Sequence, residues 1–137
     1  MIDHYQDIIL RQNLSGKRVM ITGGLGMIGS TIANKLVNYN ALITIVDACI
    51  EPYGYNMFNV EDIRNKISIS ITDIRDKEAM KFLVKGQDII FNFAGQVSHN
   101  YSLNDPFLDA DINYIGHLNV VENLRKFNPK AKILFSG

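Results

Sequence analysis

Two hydrophobic rhythms alternate along the chain. Arg18-Val19-Met20-Ile21 is a short, nearly continuous apolar run, and Ala41 to Val46, Asp88 to Phe93 and Ala131 to Phe135 repeat it. Runs of this length read as strands, the first of them buried. Ile67-Ser68-Ile69-Ser70-Ile71 alternates strictly and reads as a half-buried strand. Between the strands the spacing turns helical. Ile32, Ala33, Leu36 and Val37 form one helical face, and Asp76 stands as N-cap to a helix over Lys77 to Val84 that Gly86 stops. Asp105-Pro106 opens the longest helix, Phe107 to Phe127, and Asn128-Pro129 ends it. Its apolar residues fall on two faces, one through Leu108, Ile112, Ile115 and Leu118 and one through Ala110, Tyr114, Val121 and Leu124, so the pattern predicts cover on both sides.

At the start, Ile2, Tyr5, Ile9 and Leu10 predict a short leading helix over Ile2 to Leu10, packed beside the first strand and broken by Asn13-Leu14-Ser15-Gly16. Cys49 to Val60, rich in Pro, Gly, Tyr and Asn, reads as a long loop over the strand ends, with Glu61-Asp62 beginning a helical turn. Strands alternating with helices specify an α/β fold. The expectation is a Rossmann-type, doubly wound parallel sheet of about five strands with helices on both faces and right-handed crossovers.

The most informative stretch is Thr22-Gly23-Gly24-Leu25-Gly26-Met27-Ile28-Gly29, where the first strand turns into the first long helix. A glycine cluster elsewhere would be only a flexible turn. Here each glycine has a reason: Gly23 for the tight turn, Gly26 to let a pyrophosphate approach the backbone, and Gly29 to let helix and strand pack closely. The helix N-terminus, with Met27 and Ile28 in its first turn, offers free N–H groups and partial positive charge to phosphates. Asp47 closes the second strand roughly twenty residues beyond the last glycine, where a carboxylate can take both ribose hydroxyls of an adenosine. A 2′-phosphate would be repelled there, so NAD is expected over NADP. The alternative for Asp47 is a loop cap.

Composition narrows the partners. The 137 residues carry 14 basic and 14 acidic side chains with no basic stripe, which argues against a nucleic-acid surface. The apolar runs are strand-length, so no membrane span and no signal peptide are expected, and the reading is cytoplasmic. The single cysteine, Cys49, allows no internal disulfide and reads as a small half-buried residue after a strand. His99 reads as a loop histidine near the fourth strand's end, His4 and His117 as surface or packing residues, and Lys17 and Arg18 as solvated charges.

With these motifs in view, the chain from Lys17 to Gly137 resembles the extended short-chain dehydrogenase/reductases, in particular the NAD-dependent nucleotide-sugar epimerases and dehydratases. Thr22 to Gly29 matches the family's glycine signature, with Met27 where a Phe is common, and Asp47 matches its ribose-binding acid. The resemblance implies that Asp73-Ile74 contacts the adenine, that Phe93-Ala94-Gly95 with Gln96 lines the cofactor, and that Asn113 supports the active-site backbone. Ile115 and His117 depart from a common Asn-Gly-Thr pattern around Gly116. Ala94-Gly95-Gln96-Val97, Ser102 and Asp105-Pro106 look most like the branch that holds CDP-tyvelose 2-epimerase, and UDP-glucose 4-epimerases and dTDP-glucose 4,6-dehydratases share most of these positions.

The family's catalytic Ser or Thr would align just after Gly137, with Ser136 its neighbour, and its Tyr-x-x-x-Lys pair further on. None of Tyr5, Tyr39, Tyr53, Tyr55, Tyr101 and Tyr114 has a Lys four residues later. The resemblance therefore implies residues 1–137 as the NAD-binding N-terminal part, without the substrate domain and inactive alone. In the complete enzyme it implies a nucleotide-sugar substrate, transient hydride transfer to NAD and dimerisation by packing of the long helix; residues 1–137 alone, with two apolar helix faces and a raw fifth-strand edge, are expected to form a homodimer or larger assembly through that helix or that edge. The alternatives are a catalytically silent nucleotide-binding module or an NADP-dependent reductase of the same superfamily.

Overall fold

Five strands, β1 (Arg18–Thr22), β2 (Leu42–Asp47), β3 (Ile67–Ile71), β4 (Ile89–Asn92) and β5 (Lys132–Phe135), make one parallel sheet in the order β3-β2-β1-β4-β5. The computed structural model describes residues 4–51 and 54–135; Ile2, Tyr53 and Ser136, which enter the sequence reading, lie outside them. Among the described residues six α-helices accompany the strands: α1 (His4–Leu14), α2 (Met27–Val37), α3 (Lys77–Leu83), α4 (His99–Asn104), α5 (Pro106–Ala110) and α6 (His117–Phe127). β1 is the centre because Val19 to Thr22 are all buried, and Val19 faces Ile43 on one side and Ile89 on the other. The strand order reverses at β1. A crevice therefore opens at the carboxyl ends of β1 and β4, where their loops leave toward opposite faces.

Successive residues of β1 feed two cores, as the strand period requires. Val19 and Ile21 join Ala33, Leu36, Ile43, Ile45, Val60 and Ile63 beneath α2 and a 3-10 helical segment, Met57–Lys66. Met20 joins Val46, Met80, Val84, Ile90, Val120 and Leu124 beneath α3 and α6. The expected architecture is present, with helices on both faces.

Several local expectations are corrected. The leading helix runs on to Leu14, and none of its residues is buried, Tyr5, Ile8 and Ile9 being exposed. It does not lay an apolar face beside β1. It sits against the end of α2, where Arg11 donates to the Asn38 carbonyl at 3.3 Å and stacks over the Tyr39 ring, so that only Leu14 reaches the core. The loop after β2 becomes helical at Met57, before the expected Glu61, because the Asn56 carboxamide caps it by accepting from the Phe58 amide at 3.0 Å. Ala41 precedes β2, its amide bonded back to the Leu36 carbonyl in the turn after α2.

The long helix is not uniform. Asp105-Pro106 opens it as read, with Asp105 capping it by accepting from the Leu108 amide at 2.9 Å, but residues Asp111–Gly116 form π-helical turns between α5 and α6. The buried stripe runs through Ile112, Gly116, Asn119, Val120, Asn123 and Leu124, whereas Tyr114, Ile115, Leu118 and Val121 are exposed. Each predicted apolar face therefore mixes buried and exposed positions. A helix before it, α4, lies where a loop was expected, with His99 exposed at its first position. Among the described residues no helix is long and apolar enough to cross a membrane.

Candidate functional site

The crevice over β1 and β4 is a cleft of about 410 Å³. Its floor is the glycine turn. Gly23 stands at φ +64°, and a Cβ there would lie 2.8 Å from the Ala94 nitrogen and the Phe93 carbonyl, so only glycine allows the β1 and β4 loops to meet. A Cβ on Gly29 would collide with the Gly23 carbonyl, and one on Gly24 would come within 2.6 Å of Ile45. Gly26 differs. Its backbone is ordinary, φ −72° and ψ 173°, and an added Cβ would meet only the Gly23 carbonyl at 3.3 Å. Nothing in the chain itself fills the space before it. Gly26 is also the N-cap of α2, and no acceptor among the described residues takes the amide protons of Met27, Ile28 or Gly29. Open space beside an unsatisfied helix N-terminus is where a phosphate fits.

Asp47 lies at one end of this floor. Its Oδ2 accepts from the Leu25 amide and its Oδ1 from the Cys49 amide, each at 3.0 Å, so the carboxylate ties the glycine turn to the loop after β2. The second bond also steadies Cys49, a half-buried residue at φ +51°, a left-handed conformation that non-glycine residues seldom adopt. Each carboxylate oxygen keeps a further lone pair for a hydroxyl donor. The residues that follow, Ala48, Cys49, Ile50 and Glu51, bring no cation.

The walls are apolar: Val46, Ile50, Ile74, Phe93, Val97 and Ile112 line the cleft with Tyr55, Thr72 and Asp73. Of the residues singled out from sequence, Gly23, Gly26, Met27, Ile28, Gly29, Asp47, Asp73, Ile74, Phe93, Ala94 and Gly95 line it together. Gln96 and Asn113 do not; they brace it. The Asn113 carboxamide accepts from the Gln96 amide and donates to the Gln96 carbonyl, both at 2.8 Å, while Gly95 leaves room because a Cβ there would stand 3.1 Å from Asn113 Oδ1. The buried Gln96 side chain donates to the Ser98 carbonyl and the Ser102 hydroxyl and accepts from the Ser98 amide. Asp109 closes this network by accepting from Ser102 at 2.9 Å and from Asn113 at 3.1 Å.

A second polar network lies under the cleft, unseen in the sequence reading. The buried Thr22 hydroxyl donates to Asn92 Oδ1 at 2.7 Å and accepts from the Phe93 and Ala94 amides at 3.1 Å. Asn92 Nδ2 lies 2.8 Å from His117 Nδ1. An amide nitrogen can only donate, so His117 accepts through Nδ1 and carries its proton on Nε2. Burial lowers the His117 pKa below its ordinary value, with a hydrogen bond to the Ala94 backbone opposing the shift. His117 is thus a braced support of the β4 loop, more than the packing residue expected. The available signal was Asn92, a polar residue inside an apolar strand. Lys17, expected to be solvated, pairs with Asp88 at 3.5 Å, and the Arg18 amide donates to the same carboxylate at 2.9 Å.

The sequence profile of the GDP-mannose 4,6 dehydratase family matches residues 20–137. The chain belongs to that family. As a member of the GDP-mannose 4,6 dehydratase family it is 33% identical over 120 residues to a putative UDP-glucose 4-epimerase of Methanocaldococcus jannaschii, an alignment covering 87% of this chain and 37% of that protein. It is 27% identical to the CDP-paratose 2-epimerase of Salmonella typhi, with 88% of this chain and 36% of that one covered. Among solved structures, the Bordetella bronchiseptica enzyme WbmF in complex with NAD+ superposes with a TM-score of 0.80 at 26% identity, covering 91% of this chain and 37% of that one. The family fold and the short-chain dehydrogenase/reductase resemblance drawn from the glycine signature agree. The chain spans little more than a third of the length of these relatives.

Proposed function

We propose that the chain is the NAD-binding portion of a nucleotide-sugar epimerase or dehydratase. The observation that carries this reading is Gly26: an added Cβ would meet nothing in the chain but the Gly23 carbonyl, at 3.3 Å, and it faces three helix amides without acceptors among the described residues. Around it, the residues fit a dinucleotide. The Met27, Ile28 and Gly29 amides would hold the pyrophosphate, Asp47 the adenosine ribose, and Asp73 with Ile74 the adenine. Phe93, Ala94 and Gly95 would back the nicotinamide end, with Gln96 and Asn113 fixing their course. Bound NAD would supply a reversible hydride acceptor. The chain's own contribution is to orient that acceptor and to keep its face dry with Val97, Ile112 and Phe93.

Support for the sugar-nucleotide part comes from the relatives: those in Methanocaldococcus jannaschii and Salmonella typhi are named as sugar-nucleotide epimerases, and the Bordetella enzyme is seen with NAD+. The test is competitive titration with NAD and NADP. A 2′-phosphate next to Asp47 meets a fixed negative charge, and residues 48–51 bring no cation to offset it, so NAD is expected to bind at least about tenfold tighter, an electrostatic effect of about 1–4 kcal/mol at contact distance. Asp47→Ala should narrow the ratio. Equal affinities in the intact chain would refute the Asp47 assignment.

The reading extends to assembly. Tyr114, Ile115, Leu118 and Val121 leave an exposed apolar stripe on the long helix, and β5 is a sheet edge with Leu134 and Phe135 exposed. A second copy of the chain is the occupant this reading assigns to that surface.

A further inference from the structure

The adenine wall of the cleft is a short turn, Thr72 to Arg75, and the long helix holds it at three successive levels. At the first, Arg75 donates from Nε and Nη2 to the Asp73 carboxylate, at 3.1 and 2.7 Å, and from Nη1 to Asp111 at 2.9 Å. At the second, Gly116 has no side chain, and a Cβ there would stand 2.8 Å from Ile74 Cδ1, so the helix can close directly on Ile74. At the third, the buried Asn119 carboxamide donates to the Ile74 carbonyl. Ile74 is fixed by packing and by its backbone. Asp73 is fixed by one partner, Arg75, whose own side chain is anchored at its far side by Asp111.

The geometry points to Arg75, held by Asp111, as a positioning residue that presents the Asp73 carboxylate to the exocyclic amine of an adenine base. The inference rests on the proposed dinucleotide reading of the cleft. The Arg75 amide also donates to Asp73 Oδ1 at 2.9 Å, so the carboxylate is gripped from one edge while its side chain, 28% exposed, still lines the cleft. A forked guanidinium sets the plane of a carboxylate as well as its position, which a single ammonium contact does not. The plane matters because a purine amine lies in the plane of its ring and donates along it. Held in this way, the carboxylate is an acceptor only: it favours a 6-amino purine and disfavours a 6-oxo purine, whose lone pairs would face it. Asp111 also starts the π-helical turns that carry Asn113, so the same helix that positions the adenine acceptor grips the Gln96 backbone at the other end of the cleft.

The test compares NAD with its hypoxanthine analogue, which carries a 6-oxo group in place of the amine and, with it, an N–H in place of the lone pair at N1. Calorimetric titration of the wild-type chain should show NAD binding about tenfold or more tightly than the analogue, the scale of one hydrogen bond to a charged group. In Arg75→Gln the ratio should collapse toward one, chiefly through loss of NAD affinity. Asp111→Asn keeps the Asp73–Arg75 pair and loosens its anchor, so it should lie between, and it serves if Arg75→Gln proves poorly folded by circular dichroism. A merely structural role would weaken both ligands equally and preserve the ratio. That result, or a wild type indifferent to the 6-substituent, would overturn the inference while leaving NAD binding intact; a wild type that takes up neither dinucleotide would overturn the reading beneath it and the inference together.

Discussion

At the scale of single residues, the glycines separate into those the fold needs and one it does not. Gly23, Gly24 and Gly29 are required by close contacts with Phe93 and Ala94, Ile45 and the Gly23 carbonyl respectively. Gly26 has no comparable neighbour, and this contrast is what turns a motif into a site. The sequence displayed all four glycines and their strand-to-helix setting, so this part of the cleft was legible. The roles of Thr22, Asn92 and His117 were not, because hydrogen bonds between residues 70 positions apart, as for Thr22 and Asn92, or 25, as for Asn92 and His117, leave no local periodicity. Removing a buried acceptor such as the Thr22 hydroxyl costs about 1–3 kcal/mol. His117 carries a pH prediction. Its folded pKa lies below the ordinary 6.5, chiefly through burial, so as pH falls the unfolded chain takes up the proton first. Stability is therefore full above the unfolded value, declines as pH drops through it, and levels off below the folded value. Chemical denaturation between pH 7 and about pH 5 should show this decline, and His117→Gln should flatten it; an equal slope in both would remove His117 as its source.

At the scale of elements, strands were read better than helices. Each of the five runs became a strand because a strand needs only a short apolar stretch; burial follows position in the sheet, complete along Val19 to Thr22 of the central β1 and absent from the edge strands β3 and β5. The long helix was misjudged for a physical reason. Its buried stripe uses Gly116, Asn119 and Asn123, which an apolar count passes over, and it is buried because those amides have partners: Asn119 reaches Ile74, and Asn123 donates to the Asn119 carbonyl and carboxamide at 3.0 and 2.9 Å. The π turns shift the stripe as well, since extra residues in a helical turn rotate every later side chain. They also set Asn113 against Gln96. The segment after β2 was misread because its helical turns are short and capped by Asn56, yet they matter to the site: the Asn56 amide and the Asn59 carboxamide both donate to the Leu25 carbonyl, at 3.1 and 2.9 Å, and hold the glycine turn from behind.

At the scale of the whole molecule, the family and fold were readable from the spacing of the glycine turn and Asp47, whereas the assembly was only suggested by pattern. The structure narrows the suggestion. The exposed apolar residues of the long helix include Tyr114, Ile115, Leu118 and Val121, with Phe107 and Phe127 near its ends, but not Leu124, which is buried. If a second copy covers them, light scattering over a dilution series should show a dimer or larger species, and Tyr114→Glu or Val121→Glu should shift it toward monomer. A strict monomer at high concentration would refute that occupant. The central claim is that the cleft over β1 and β4 binds a dinucleotide at the amides beside Gly26. It is tested most directly by calorimetric titration of NAD into the wild-type chain and into Gly26→Val. A valine there intrudes on the open space; to the fold it is a poorer helix cap, at about 1 kcal/mol, and its Cβ presses on the Gly23 carbonyl at 3.3 Å. The account predicts saturable binding to wild type and none to a Gly26→Val chain that still melts cooperatively; equal binding to both would contradict it.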